Sequence, residues 1–165
     1  MHAMAYDDVS GPNGHSSLEL AEKALAGAAR AGLPLPKVTL GLPFYGRDVK
    51  GGDWTTFEDI VQQLHPLDPT SDRVTLPDGR TTAFNGRGTI AEKTRRALSA
   101  GLGGVMVWEA GQDCRQVAVR RGDATHAVTC PAGAASSLLA ALVEAARSAQ
   151  AQAPRLDGVG SKEEL

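Results

Sequence analysis

Apolar and polar positions along this chain follow two rhythms. Short, nearly continuous apolar runs alternate with longer stretches whose apolar residues recur every three to four positions, a pattern that predicts βα units around a parallel sheet. The first run is His2–Tyr6, and a polar Gly/Pro/Asn loop, 7–16, follows it. Ser16 with Glu19 three residues on reads as a capping box. From there Leu18, Ala21, Leu25, Ala28 and Ala29 keep helical spacing until Gly32 stops the helix. Pro34 and Pro36 lead into a second run, Val38–Tyr45, whose lack of alternation suits a strand covered on both faces. A long excursion, 46–88, comes next. It holds a short predicted helix at Phe57–Leu64 and a predicted hairpin at Val74–Phe84, turning on Asp78-Gly79.

Thr89–Ala100 reads as a helix, and Gly103–Glu109 as a third buried strand opened by two glycines. Ala134–Gln152 places Leu138, Leu139, Leu142, Val143 and Ala146 on one stripe, an amphipathic helix ending before Pro154. Arg155–Leu165 is a polar tail. Three buried-type parallel strands leave an edge open on each side, which such strands tolerate poorly. The pattern therefore favours a sheet completed by further strands over a small, atypical fold.

Composition narrows this reading. The chain has 165 residues, 42% hydrophobic and 22% charged, enough for one domain with a real core. A net charge of −2 offers no electrostatic footprint for nucleic acid or an anionic membrane surface. No run reaches the roughly 18 apolar residues of a spanning helix, and the start, from Met1 to Asp7, lacks the basic and apolar regions of a leader peptide. The four histidines, His2, His15, His65 and His126, match no metal-ligand spacing, so neither metal nor cofactor is expected. Cys114 and Cys130 could form one disulfide, worth about 3 kcal/mol in the chain-entropy model, or remain two buried thiols.

Each strand run ends in a polar or aromatic cluster: Tyr6-Asp7-Asp8, then Tyr45 with Arg47, then Trp108-Glu109 with Gln112-Asp113. Parallel α/β sheets build their sites at the carboxyl ends of strands. Rings beside carboxylates and a guanidinium suit a sugar, whose apolar face stacks while its hydroxyls bond charged groups. The plainer readings are a buried Tyr6 phenol held by a turn carboxylate, a strand-capping Tyr45 and Arg47, and a Trp108 that packs in the core. Trp54 reads as an ordinary packed loop residue rather than a binding surface, and Glu109, following an aromatic that could raise its pKa, invites a reading as a general acid.

Three motifs carry a resemblance: Met4-Ala5-Tyr6-Asp7, Gly41-Leu42-Pro43-Phe44-Tyr45-Gly46-Arg47 and Gly101-Leu102-Gly103-Gly104-Val105-Met106-Val107-Trp108-Glu109. Together they resemble glycoside hydrolase family 18 (GH18), the chitinases and related endo-N-acetylglucosaminidases. In order and separation they look like the sixth, seventh and eighth strands of that family's (β/α)₈ TIM barrel. The resemblance implies an α/β fold, a partial barrel without its first half. It also implies substrate-assisted hydrolysis of β-1,4-linked N-acetylglucosamine polymers, the sugar's own N-acetyl oxygen attacking the anomeric carbon. By that resemblance Tyr6 and Asp7 are catalytic: Tyr6 bonds the N-acetyl carbonyl and Asp7 fixes the sugar. Met4, Tyr45, Arg47 and Trp108 bind substrate, with Trp108 as the floor.

One departure stands out. The family's acid lies in an Asp-x-x-Asp-x-Asp-x-Glu run, which this sequence does not contain, so the resemblance makes Glu109 structural. A whole barrel takes about 250 residues. The chain alone is therefore expected not to cleave chitin, with a non-catalytic chitinase-like lectin or a truncated product without function as the alternatives. The expected organisation is a barrel portion over 1–130, a helix over 131–153 and a flexible tail over 154–165. Lys162-Glu163-Glu164-Leu165 resembles the endoplasmic-reticulum retention signal, pointing to a retrieval receptor as a partner and to the secretory pathway. An oxidising compartment would permit the disulfide.

Overall fold

A computed structural model describes residues 1–8 and 14–152. The tail, 154–165, with its retention-like ending, lies outside the described residues. In chain order the elements are β1 (His2–Ala3), α1 (Leu18–Arg30), β2 (Thr39–Pro43), β3 (Tyr45–Asp48), β4 (Trp54–Thr56), α2 (Phe57–Gln63) and β5 (Arg73–Thr75). They continue with β6 (Thr81–Ala83), α3 (Arg87–Ser99), β7 (Gly104–Trp108), β8 (Val119–Arg121), β9 (Ala124–His126) and α4 (Leu138–Gln152).

The three apolar runs become one parallel sheet in the order β1-β2-β7, with Ala3 opposite Leu40 and Leu40 opposite Val105. Leu40 and Leu42 are fully buried and pack with Ala3, Val105 and Val107 in the core. Successive strand residues point to opposite faces. The core residues therefore face α1 and α3, which pack on β2, while α4 lies along α3. Gly41, Pro43, Met106 and Trp108 fall on the second face, with Met4 and Tyr6 continuing the alternation of β1. Met4 and Trp108 are 69% and 55% exposed there.

The excursion folds as a unit of its own, a four-stranded antiparallel sheet ordered β4-β3-β6-β5 with α2 beside it. Phe44 separates it from the parallel sheet: its amide donates to the Trp108 carbonyl at 2.9 Å, and its carbonyl accepts from Phe57 at 3.1 Å. The hairpin predicted at 74–84 is present as β5–β6, closed by Gly79 at a φ of 86°. Cys114 and Cys130 are joined by a disulfide that brackets the β8–β9 hairpin.

Several boundaries differ from the sequence reading. Trp54 opens an edge strand, 59% exposed, instead of packing in a loop. β1 pairs only through His2 and Ala3. The cap of α1 is Ser17, whose hydroxyl accepts from the Leu20 amide at 3.0 Å. Ser16 is occupied elsewhere. Its buried hydroxyl donates to the Ala5 carbonyl at 2.7 Å and accepts from the Lys93 ammonium at 2.7 Å. The α4 helix starts four residues later than expected, where buried Asp113 accepts from the amides of Leu138 at 3.1 Å and Leu139 at 2.8 Å. A carboxylate at a helix N-terminus satisfies orphan amides and complements the dipole.

Lys93, on α3, has 0% exposure. Its three N–H bonds are all used, to the Ser16 hydroxyl, the Ser16 carbonyl at 2.8 Å and the Asn85 side-chain oxygen at 2.8 Å. Burial lowers its pKa from 10.5 to about 7, with Asp72 opposing that shift. Between those two values the unfolded chain holds the extra proton, so stability rises with pH across the window. Unfolding free energies from urea titrations should therefore increase from pH 7 to pH 10, by up to a few kcal/mol for a shift of this size. Lys93→Met should flatten the rise. An unmodified chain without any rise over that range would contradict this state of Lys93.

Candidate functional site

The in-register parallel pairing places the carboxyl ends of β1, β2 and β7 along one edge. Tyr6 and Asp7 follow β1, Tyr45 and Arg47 follow β2 on the crossing strand β3, and Trp108 closes β7. Gly41 makes the first junction. A Cβ there would sit 2.8 Å from Tyr6 Cε1, 3.0 Å from the Ala3 carbonyl oxygen and 3.1 Å from Met4 Cα, so the Tyr6 ring lies directly over the bare glycine backbone.

Four of the expected residues form one cluster. The Tyr6 and Tyr45 rings meet edge to face with centroids 6.2 Å apart. The Tyr45 phenol neighbours the Asp7 carboxylate, and Arg47 Nε stands 3.6 Å from Asp7 Oδ1. Burial first, and then the neighbouring Asp7 carboxylate, raise the Tyr45 pKa, so the phenol stays protonated. Burial and the neighbouring Asp7 raise that of Tyr6 as well. Asp7 is the one non-glycine residue among those described with a positive φ, 66°, a conformation that costs an L-residue about 1–2 kcal/mol. Its carboxylate remains half exposed, open to a ligand hydroxyl.

Trp108 joins this edge through the backbone, opposite Pro43 and with its carbonyl on the Phe44 amide. Its indole is largely free for stacking, as is Met4 on the same face. Trp54 sits opposite Arg47 in the β3–β4 ladder and is likewise exposed. Glu109 is exposed and gives no side-chain bond to the turn it begins. The sequence reading missed His15. Its ring is buried against Tyr45, with centroids 5.1 Å apart, and Nε2 lies 3.1 Å from the Tyr45 carbonyl oxygen. The one sequence signal was its place in the loop that returns from Asp7, and scattered histidines without metal spacing gave no reason to weigh it. Among the described residues no group of His, Cys, Asp and Glu could hold a metal ion.

No family model matches the sequence, and no curated protein does. Solved structures match. A GH18 chitinase of Flavobacterium johnsoniae aligns over 89% of this chain at 28% identity with a TM-score of 0.64, using 42% of its own length. The chain has part of the GH18 chitinase fold. A chitinase from Bacteroides thetaiotaomicron aligns over 86% of the chain at 22% identity with a TM-score of 0.65, again using 43% of its length. A GH18 chitinase from Cycas revoluta, solved in complex with (GlcNAc)3, aligns over 90% at 19% identity with a TM-score of 0.59, using 46% of its length. The GH18-like chain thus spans less than half of the structures it matches.

Gly41 gives a direct check on this architecture. Gly41→Ala would push a methyl into Tyr6 and into the β1 backbone, so it should destabilise the chain by about 1–3 kcal/mol, as overpacking does. It should also shift the Tyr6 ring signals in an NMR spectrum. A tolerated alanine with unmoved Tyr6 resonances would contradict the placement of Tyr6 over β2.

Proposed function

We propose that this chain supplies the sugar-binding end of a chitinase-like site for β-1,4-linked N-acetylglucosamine chains. The observation that carries the reading is the convergence of Tyr6, Asp7, Tyr45 and Arg47 at the strand edge that also presents Trp108. In this reading the Trp108 indole is the floor on which the apolar face of a pyranose stacks, with Met4 beside it. Tyr6 holds the N-acetyl group through its carbonyl oxygen, and the Asp7 carboxylate fixes the sugar through its polar groups. Positioning of this kind brings the N-acetyl oxygen within reach of the anomeric carbon in substrate-assisted hydrolysis. Arg47 and Tyr45 bond nearby hydroxyls and fix the Asp7 carboxylate.

Cleavage also needs a proton donor for the leaving oxygen. The Asp-x-x-Asp-x-Asp-x-Glu run that would supply one is absent from this sequence. By this account the chain binds the glycan, and hydrolysis requires an acid from further strands. The competing reading is a chitinase-like lectin that binds without cleaving, and the residue at the acid position of the fourth barrel strand decides between the two.

Calorimetric titration with tri-N-acetylchitotriose tests the proposal. The unmodified chain should bind, and Trp108→Ala should weaken binding about tenfold or more, the loss expected for removing a stacked ring. Absence of binding, or equal affinity in Trp108→Ala, would refute the assignment. In a complete barrel that carries the acid, Tyr6→Phe should lower turnover by about a hundredfold with little change in KM. Equal losses in turnover and binding would remove the positioning role, and a complete barrel that binds without turning over would establish the lectin reading.

A further inference from the structure

His15 lies buried under the cluster, with 1% exposure. Two fixed backbone groups flank its ring. Nε2 faces the Tyr45 carbonyl oxygen at 3.1 Å, and Nδ1 faces the Asp7 amide at 3.4 Å. A carbonyl can only accept and an amide N–H can only donate, so both neighbours demand the same ring: hydrogen on Nε2, lone pair on Nδ1. The loop reaches this position because Gly14, at a φ of 81°, passes so close to Ala83 that a Cβ would lie 2.4 Å from it. Around His15 the returning loop is pinned at two more points. The Asp8 amide donates to the His15 carbonyl at 3.0 Å, and Ser16 is held by Lys93.

We propose that His15 is a positioning residue for the sugar site: by gripping the Asp7 amide with one nitrogen and the Tyr45 carbonyl with the other, it holds Asp7 in its left-handed conformation and aims the carboxylate at the Tyr45 phenol and Arg47. The glycan part of this inference rests on the function proposed above, whereas the grip on Asp7 does not. Side chains of Asp7, Arg47 and Lys93 supply the charges that face the ring. Asp7 Oδ1 is 3.7 Å from Nδ1. Burial, only partly opposed by Asp7, lowers the His15 pKa to about 4, so at neutral pH the ring keeps its bare Nδ1. Protonation at Nδ1 would set two N–H groups against each other and favour the Asp7 carboxylate instead of its amide, releasing the aim of the carboxylate.

Two measurements on the full chain test this. Long-range proton–nitrogen NMR should show His15 as the Nε2–H form, neutral until about pH 4, and Asp7→Asn should lower its titration further by removing the facing negative charge. An Nδ1–H ring, or ordinary titration untouched by Asp7→Asn, overturns the proposal. The two grips can then be separated. His15→Asn keeps an acceptor near the Nδ1 position, and His15→Gln keeps a donor near the Nε2 position. The proposal expects His15→Gln to move the Asp7 amide resonance and to weaken tri-N-acetylchitotriose binding about tenfold, with His15→Asn largely restoring both. An unmoved Asp7 amide in His15→Gln, or identical losses in both variants, overturns it. If neither variant folds, the NMR measurement on the unmodified chain and Asp7→Asn decides. A chain that binds no triose sinks the glycan reading alone, and the Asp7 amide still judges His15.

Discussion

The register of β2 between β1 and β7 governs everything at the candidate site. Leu40 and Leu42 are buried against the helices, so β2 has one allowed setting. A slip by one residue would turn the leucines outward and Gly41 inward. In the observed setting Gly41 leaves room for the Tyr6 ring, Pro43 pairs with Trp108, and the chain then breaks at Phe44 to send Tyr45 and Arg47 across the edge. A hydrophobic constraint on one face of the sheet thereby fixes the polar geometry at its end.

Above that frame the site separates exposed groups from buried ones. Trp108, Met4 and the Asp7 carboxylate face outward, where a sugar could meet them. Tyr45, His15, Ser16 and Lys93 lie beneath and hold them. Lys93 links α3 to the loop after β1, and α3 leads directly into β7, so the support under Tyr6-Asp7 and the strand bearing Trp108 share one helix. This arrangement lets an exposed carboxylate keep a defined direction. A side chain aimed only by solvent-exposed ion pairs would gain little from them.

Much of the parallel sheet could be read in the sequence because its signals are local: continuous apolar runs, helical spacing, and Gly32 as punctuation. Motifs at the strand ends also marked Tyr6, Asp7, Tyr45, Arg47 and Trp108. What escaped depends on contacts distant in sequence. Ser16 resembled a helix cap until Lys93, 77 residues away, claimed its hydroxyl, and Ser17 took the cap instead. Trp54 looked like a packed loop residue because nothing local shows that it pairs on an exposed edge with Arg47. β8 and β9 are three-residue strands within a disulfide-bracketed loop, too short to carry a period. His15 acquires a role only when the loop folds it under Tyr45.

Titration of the isotope-labelled chain with tri-N-acetylchitotriose, followed through the indole N–H of Trp108 and the amides of Tyr6 and Asp7, tests the shared pocket most directly. The account predicts that all three signals move together along one saturable binding curve. Resonances of Tyr6 and Asp7 that stay fixed while the indole moves, or no response from the three, would contradict a single sugar site at this edge.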